Sequence, residues 1–583
     1  MIHFKIPFFL KKLNKASNKS AKRFMLISIL SVIILLTYLT IYNQADVFNS
    51  VQDSSSYKKV PAGKQNFNSI IMKINKEYNP HISYPASKTF EEKDTRSELV
   101  ANSLGSYKNK CPVIGQDTSD VKSWNKLSKK YLSKECLVVN ENIKNQLRDS
   151  HTRLIDNLID EADNTFMYPG EEFYSGNGIV FVGGGSYSLM TYSVIKTIRK
   201  SGTTLPIEVL IPTEEEAITD AEFCSLIENQ NAKCIYLSRI FSQELLETNE
   251  FKGFQYKSLA LFASSFENVL LLDADDYPLK NLDTIFDHKI FKRSGLILWP
   301  DFWRRTTNPF FYESAGAEVD TSKKIRNSLD TVSNLADFIK DQSPEDIPFH
   351  DFAGAIPDPS SETGQMMISK KLHWKTLLLS MYYNIYGPSV YYHLLSQYSS
   401  GQGDKETFIA AAHLLKLPYY QIFSSSSVDG YFTEEGDFRG LTYYQKDFRH
   451  DYETKLKLAD DIRQLNNVED LTYVKQKYFS GDLSEDYAMF AHCNLPKFHP
   501  LKMAINDEFI RNDLHYRGYT HKKCLAGLDL EKEINLAYEE LICQPGKSVF
   551  DYMFKDNEKL IMCNYIKKRL ALFEREPLFN QPI

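Results

Sequence analysis

Apolar and polar positions follow several distinct rhythms along this chain. From Phe24 to Tyr42 the residues are uncharged, with only Ser and Thr as polar interruptions. At 1.5 Å per residue such a run makes about 29 Å of helix, close to the ~30 Å hydrocarbon core of a bilayer. Residues 43–96 are rich in Ser, Asn, Lys and Glu and show little periodicity, which predicts a solvated stem. Helical spacing of apolar positions governs the lead-in that follows, residues 97–174, most clearly over Ile143 to Ala162. Short apolar runs then alternate with helical stretches. Strands are predicted within 179–188, where IVFV runs into glycines, and at Pro206–Ile211, Lys233–Leu237 and Asn268–Leu272. Helices are predicted up to Lys200 and over Tyr256–Ser264. This alternation predicts an α/β domain built on a mostly parallel, Rossmann-like sheet. The stretch from Leu525 to Phe573 reads as helical and charged, with no chemistry assigned to it.

Charge changes the picture at the N-terminus. Residues 1–23 hold seven basic side chains (Lys5, Lys11, Lys12, Lys15, Lys19, Lys22, Arg23) and no acidic one. The positive-inside rule therefore keeps 1–23 cytosolic, makes 24–42 a type II signal anchor and sends the rest across the membrane. A cleaved signal peptide would have a shorter apolar run and a small-residue cleavage site, whereas this run ends in Tyr42, Asn43 and Gln44. The alternative is a cleaved signal and a soluble secreted protein. No later segment approaches 18 unbroken apolar residues, so one span is expected. A net charge of −6 and a pI near 6.2 give no support to nucleic-acid binding. All eight cysteines lie beyond the anchor, in what would be an oxidising lumen. Spacing alone leaves their pairing open, and the lack of a C-x-x-C pair argues against structural zinc.

The candidate chemistry sits at the ends of the predicted strands. In LLLDADDYPL (270–279) an apolar strand stops at Asp273, with Asp275 two residues on. Open α/β sheets bind ligands beyond the carboxyl ends of their strands. Two carboxylates there can hold a hard divalent cation bridging a diphosphate, although a solvated turn is the bland reading. Gly183, Gly184 and Gly185 would let a nucleotide approach the backbone, or form a plain turn; they make neither G-x-G-x-x-G nor a P-loop. Lys257 can face a diphosphate or be a surface lysine. SETGQMM (361–367) places Glu362 and Gln365 beside Gly364, and GQGDKETF (401–408) places Asp404, Lys405 and Glu406 before a helix starting near Thr407. These acidic groups can orient sugar hydroxyls or steady an oxocarbenium-like centre, or serve as helix N-terminal acids. AHCNLPKFHP (491–500) supplies His492 and His499, of which one can complete a metal shell.

Joined in order by WPDFWRRTTNPFFYE (299–313), these segments cover roughly residues 175–510. Together they resemble the fungal Golgi mannosyltransferases that branch cell-wall mannan (glycosyltransferase family 71), the α-1,2 branch most closely. The resemblance implies a GT-A-type nucleotide-sugar-binding fold over 175–583, with a helical C-terminal part. It also implies GDP-mannose as donor, Mn²⁺ as cofactor, retention of the α configuration and a mannan or N-linked oligomannose acceptor. Carried over residue by residue, Asp273 and Asp275 match the metal and nucleotide motif, and Asp276 stands where a polar residue such as Asn is expected. His492, in preference to His499, matches the third protein ligand. Glu362 and Gln365 match a segment near the reacting sugar, and Asp404 and Glu406 a second such segment, their separate roles unassigned. Transfer in α-1,3 linkage or of mannosylphosphate would use similar donor machinery. A non-catalytic role in a Golgi glycosyltransferase complex is the reading from a different class.

Overall fold

Six residues of the first strand of the main sheet, β1 (Asn177–Val182), show how the chain builds its core. Ile179 and Phe181 enter one apolar layer and Val180 the other, the two-residue period of extended backbone. The same alternation runs through β2 (Ile207–Ile211), β3 (Ala232–Tyr236) and β4 (Asn268–Leu272). These strands lie parallel, β1 between β2 and β4 and β3 beyond β2. Parallel strands covered on both faces need apolar residues on both, which is why VLLL at 269–272 is unbroken. The structure, a computed structural model, describes residues 64–81, 104–326 and 343–578, less 110, 116–117, 162, 400, 434, 520–526, 547 and parts of 466–486. The tail and anchor predicted at 1–42 lie outside them. Among the described residues no helix is long and apolar enough to cross a membrane.

Seven further strands complete the two sheets that meet at the site. They are β5 (Asp276–Pro278), β6 (Leu296–Pro300), β7 (Ser361–Ser369), β8 (Tyr420–Gln421), β9 (Ser427–Phe432), β10 (Phe438–Lys446) and β11 (Ala488–His492). The main sheet has the order β8-β6-β7-β4-β1-β2-β3. The sheet is mostly parallel, as expected, with one exception: β7 runs antiparallel to both β4 and β6. Its polar start, SETGQ, hid a strand of nine residues whose apolar part begins only at Met366. The second sheet is antiparallel, in the order β9-β10-β11-β5. Between β4 and β5 the chain passes from the main sheet to the second through Asp273, Ala274 and Asp275.

Helices cover both faces. One layer receives α1 (Lys64–Glu77), α2 (Glu141–Asp160) and, later in the chain, the core helices around 255–263, 370–385 and 407–414. The other receives α3 (Ser186–Lys200) and two C-terminal helices, Leu530–Ile542 and Asp556–Arg575. Helix α1 corrects the predicted stem. Phe67, Ile70, Ile71, Ile74 and Tyr78 are buried at helical spacing, so this part of 43–96 belongs to the core. The lead-in is not wholly helical either: Gly105–Tyr107 pairs with Leu137–Val139, and Cys111–Cys136 ties that hairpin. Two more disulfides join Cys224 to Cys234 and Cys543 to Cys563; Cys493 is a buried free thiol, and Cys524 lies outside the described residues.

Candidate active site

A bulge in β7 is the scaffold of the site. Glu362 pairs with Trp299 but Met366 already pairs with Leu298, so Thr363, Gly364 and Gln365 are extra residues on the β6 side, although Gln365 keeps its pairing with Leu272 of β4. Bulges re-aim side chains next to functional sites, and this one also supplies two carbonyls. The Thr363 carbonyl accepts from Lys257 Nζ at 2.9 Å, and the Gly364 carbonyl from the Asp273 amide at 2.7 Å. The Cys493 amide donates to the Asp275 carbonyl at 2.8 Å. His492, the last residue of β11, stands opposite Asp276 on one side and Tyr443 of β10 on the other.

These constraints bring Asp273, Asp275 and His492 together, with one ligand atom of each within 4.8 Å of the others. Two carboxylates and an imidazole make an oxygen-rich donor set with one nitrogen, suited to a divalent metal of the harder first-row kind. Cations already face both carboxylates. Lys257 Nζ lies 2.7 Å from Asp273 Oδ1, Lys497 Nζ 2.5 Å from Asp275 Oδ2, and His492 Nε2 3.5 Å from Asp275 Oδ1. Burial alone would lower the imidazole, but hydrogen bonding and charge from Asp275, with Asp276 and Glu362 behind it, push His492 up to about 10. Burial likewise opposes ionisation of Asp275, yet His492 and Lys497 hold it well below the usual carboxylate range. Asp276 differs. It is wholly buried, neither carboxyl oxygen has a partner, and burial drives its pKa well up. The carboxylates grouped with His492 are those of Asp273 and Asp275, and Asp273, with a side chain 27% exposed, is the open one.

The other expected residues are placed unequally. Glu362 Oε1 accepts from the Thr363 and Gly364 amides, both at 2.8 Å, and the side chain is half-buried beside the cluster. Asp404 accepts from Thr363 Oγ1 at 3.1 Å; burial, only partly offset by Lys257, pushes its carboxyl up to about 6. Gln365 is buried with both amide atoms unpartnered. Glu406 is corrected. Its carboxylate is ion-paired with the buried Arg305 and accepts from the Ser361 amide at 3.0 Å, so it holds the 404–406 loop in place and does not face a sugar. Gly183 and Gly184 leave β1 next to Asp273, since Phe181 pairs with Leu272. Gly184 has a φ of +99°, and a Cβ there would strike the Glu216 carboxylate at 2.4 Å. His499 packs against Phe554 outside the cluster. Lys497, Asp301 and Tyr443 were missed. The strand-then-acid pattern of LILWPD, parallel to LLLD, was the available signal for Asp301.

Gly364 carries a direct test. A Cβ there would lie 2.6 Å from His492 Cε1 and 2.7 Å from Nδ1, so the ring must move. Gly364→Ala is expected to weaken metal binding by about 10- to 100-fold, the usual effect of disturbing a group that orients a ligand. Calorimetric titration of the metal-stripped protein checks it, and unchanged affinity would show that His492 is not held by this contact.

A family model described as "Mannosyltransferase putative" matches residues 176–453. Alpha-1,2-mannosyltransferase MNN2 of Saccharomyces cerevisiae is 41% identical over 483 residues, 79% of this chain and 79% of its own length. Alpha-1,2-mannosyltransferase MNN23 of Candida albicans is 29% identical over 94% of this chain and 97% of its own. A solved structure of the galactosyltransferase LgtC with donor and acceptor sugar analogs covers 42% of this chain and 73% of its own at 13% identity, with a TM-score of 0.25, too slight a likeness to bear on the fold. Identity of this extent, beside a family-model match over residues that include Asp273 and Asp275, establishes that the chain belongs to the mannosyltransferase family of these fungal α-1,2-mannosyltransferases.

Proposed function

We propose that this chain transfers mannose from GDP-mannose in α-1,2 linkage, with retention, onto mannan or the outer chain of N-linked oligomannose. It does so as a Mn²⁺-dependent GT-A enzyme anchored as a type II protein in the Golgi membrane. The observation that carries the reading is the Asp273, Asp275 and His492 group at the carboxyl end of β4, in a chain whose relatives are named α-1,2-mannosyltransferases. The basic tail before an apolar run supports the membrane topology, and three disulfides support an oxidising compartment.

Asp273, Asp275 and His492 would hold a divalent ion, whose chemistry there would be Lewis-acid neutralisation of charge on the departing diphosphate. The chain's own groups do the rest. Lys257, buried and tied to the Thr363 carbonyl, adds a fixed cation on the Asp273 side. Lys497, on a side chain 42% exposed, is the cation free to turn from Asp275 toward a phosphate. Glu362, with Oε1 committed to two amides, offers Oε2 to positive charge at the sugar's anomeric centre.

The test uses detergent-solubilised full chain stripped of metal, GDP-mannose and an α-1,6-mannan oligosaccharide, with and without Mn²⁺, followed by linkage analysis. A Mn²⁺-dependent α-1,2 product is expected. A Mn²⁺-dependent product of another linkage would overturn the acceptor assignment, and neither transfer nor Mn²⁺-dependent GDP binding would sink the enzyme reading. His492→Ala is expected to shift the Mn²⁺ activation midpoint upward by about 10-fold or more; an unmoved midpoint would remove His492 from the ligand set.

A further inference from the structure

Three aromatic side chains beside the metal-ligand group are neither core nor loose surface. Phe302, Trp303 and Tyr443 are each half-buried, whereas Phe310, Phe311 and Tyr312 a few residues on are buried. The Phe302 and Tyr443 rings meet edge to face at 4.7 Å, Phe302 and Trp303 at 6.4 Å, and Tyr443 stands edge-on to His492 at 6.4 Å. The backbone that presents the first two is bolted down. The Asp301 amide donates to the Ser360 carbonyl at 2.8 Å, and the Ser360 amide to the Trp303 carbonyl at 3.0 Å. The Phe302 amide donates to Asp301 Oδ1 at 2.6 Å, and Lys405 Nζ to Asp301 Oδ2 at 2.6 Å. Half-exposed aromatic rings on a rigid turn are a recognition device: they offer large contact area with little conformational freedom to lose.

The topology says which substrate they meet. Donor-side groups, the glycines after β1 and Lys257 against Asp273, lie at β4 and the strand on one side of it, whereas Phe302 and Trp303 follow β6, two strands away on the other side of β4. Tyr443 lies on β10, across β11 from β5, and so on the opposite side of His492. Resting on the donor reading above, we infer that Phe302, Trp303 and Tyr443 form the subsite for the acceptor mannose, which stacks the C–H patch of its pyranose ring on them with its hydroxyl edge toward Glu362. A carbohydrate needs that pairing of an apolar face with a few polar groups. Glu362 pairs across the ladder with Trp299, the last residue but one of the strand leading to this turn.

The test reads acceptor binding apart from turnover. Binding of an α-1,6-mannan oligosaccharide to the full chain is followed by saturation-transfer NMR, without donor, for the wild type, Trp303→Ala, Trp303→Phe and Tyr443→Phe. Loss of one stacking ring is expected to weaken binding by about tenfold in Trp303→Ala, with recovery in Trp303→Phe. Tyr443→Phe, which keeps its ring, is expected to weaken binding less than Trp303→Ala does; an equal or larger loss would overturn stacking as the contact. In turnover, Trp303→Ala is expected to raise the KM for acceptor while leaving the KM for GDP-mannose within twofold. Wild-type affinity in Trp303→Ala, or no binding of the oligosaccharide by the wild type, would overturn the subsite. Ring-dependent binding without any Mn²⁺-dependent binding of GDP would uphold the subsite and reject the donor reading.

Discussion

Asp275→Asn is expected to lower the kcat for mannosyl transfer by about a thousandfold at saturating Mn²⁺, because a metal's stabilisation of leaving-group charge is worth several kcal/mol. The fold is expected to survive. Asp275 is 2% exposed, and losing its charge strands two cations, which for an ordinary buried pair would be severe. Here both have an exit. The Lys497 side chain is 42% exposed and can turn to solvent, and a neutral imidazole at His492 needs no counter-charge. The backbone role is untouched, since it is the Asp275 carbonyl, and not the carboxylate, that accepts from the Cys493 amide. Kinetics at high Mn²⁺ beside a thermal melt decide the matter. A variant keeping a tenth of the wild-type kcat would place the metal elsewhere.

The second large effect is on stability. Arg305→Met is expected to destabilise the protein by about 3–5 kcal/mol, the range for breaking a buried pair by removing one partner. Glu406, 2% exposed, would be left without its partner, the Pro357 carbonyl would lose the Arg305 donor at 3.2 Å, and the Pro359 carbonyl would keep only Gln421 of its two donors. Adding Glu406→Leu is expected to restore most of the loss, since an apolar pair of similar volume is often as stable as the ion pair it replaces. Denaturant unfolding of the single and double variants measures it. The double variant also tests the assignment of Glu406 as a loop anchor, for retained transfer is incompatible with a carboxylate acting on the sugar.

The two predictions differ in how they were reached. Asp275 was legible because an unbroken apolar run ending in acids, LLLDAD, can hardly be anything but a buried strand delivering carboxylates to the sheet's edge. Glu406 was not. In the sequence it is one acid among three before a helix, and nothing there says that Arg305, 101 positions earlier, will claim it. Resemblance had the same limit: it matched the segment and left each residue's role open.

The local periodicities of the chain determined its parallel strands, its helices and the residue types at the strand ends, because those follow from 2.0- and 3.6-residue repeats within a few turns of backbone. What only the tertiary structure decided were matters of long-range pairing. It placed β7 antiparallel between two strands, made three residues of it a bulge, and turned 64–78 from stem into core. It grouped Asp273 and Asp275 with His492, and left Asp276 and His499 out of that group. It also set Tyr443 beside His492, with Phe302 against Tyr443. Each of these depends on what another part of the chain brings against a residue, and partners far apart in the sequence leave no mark on the pattern within either one.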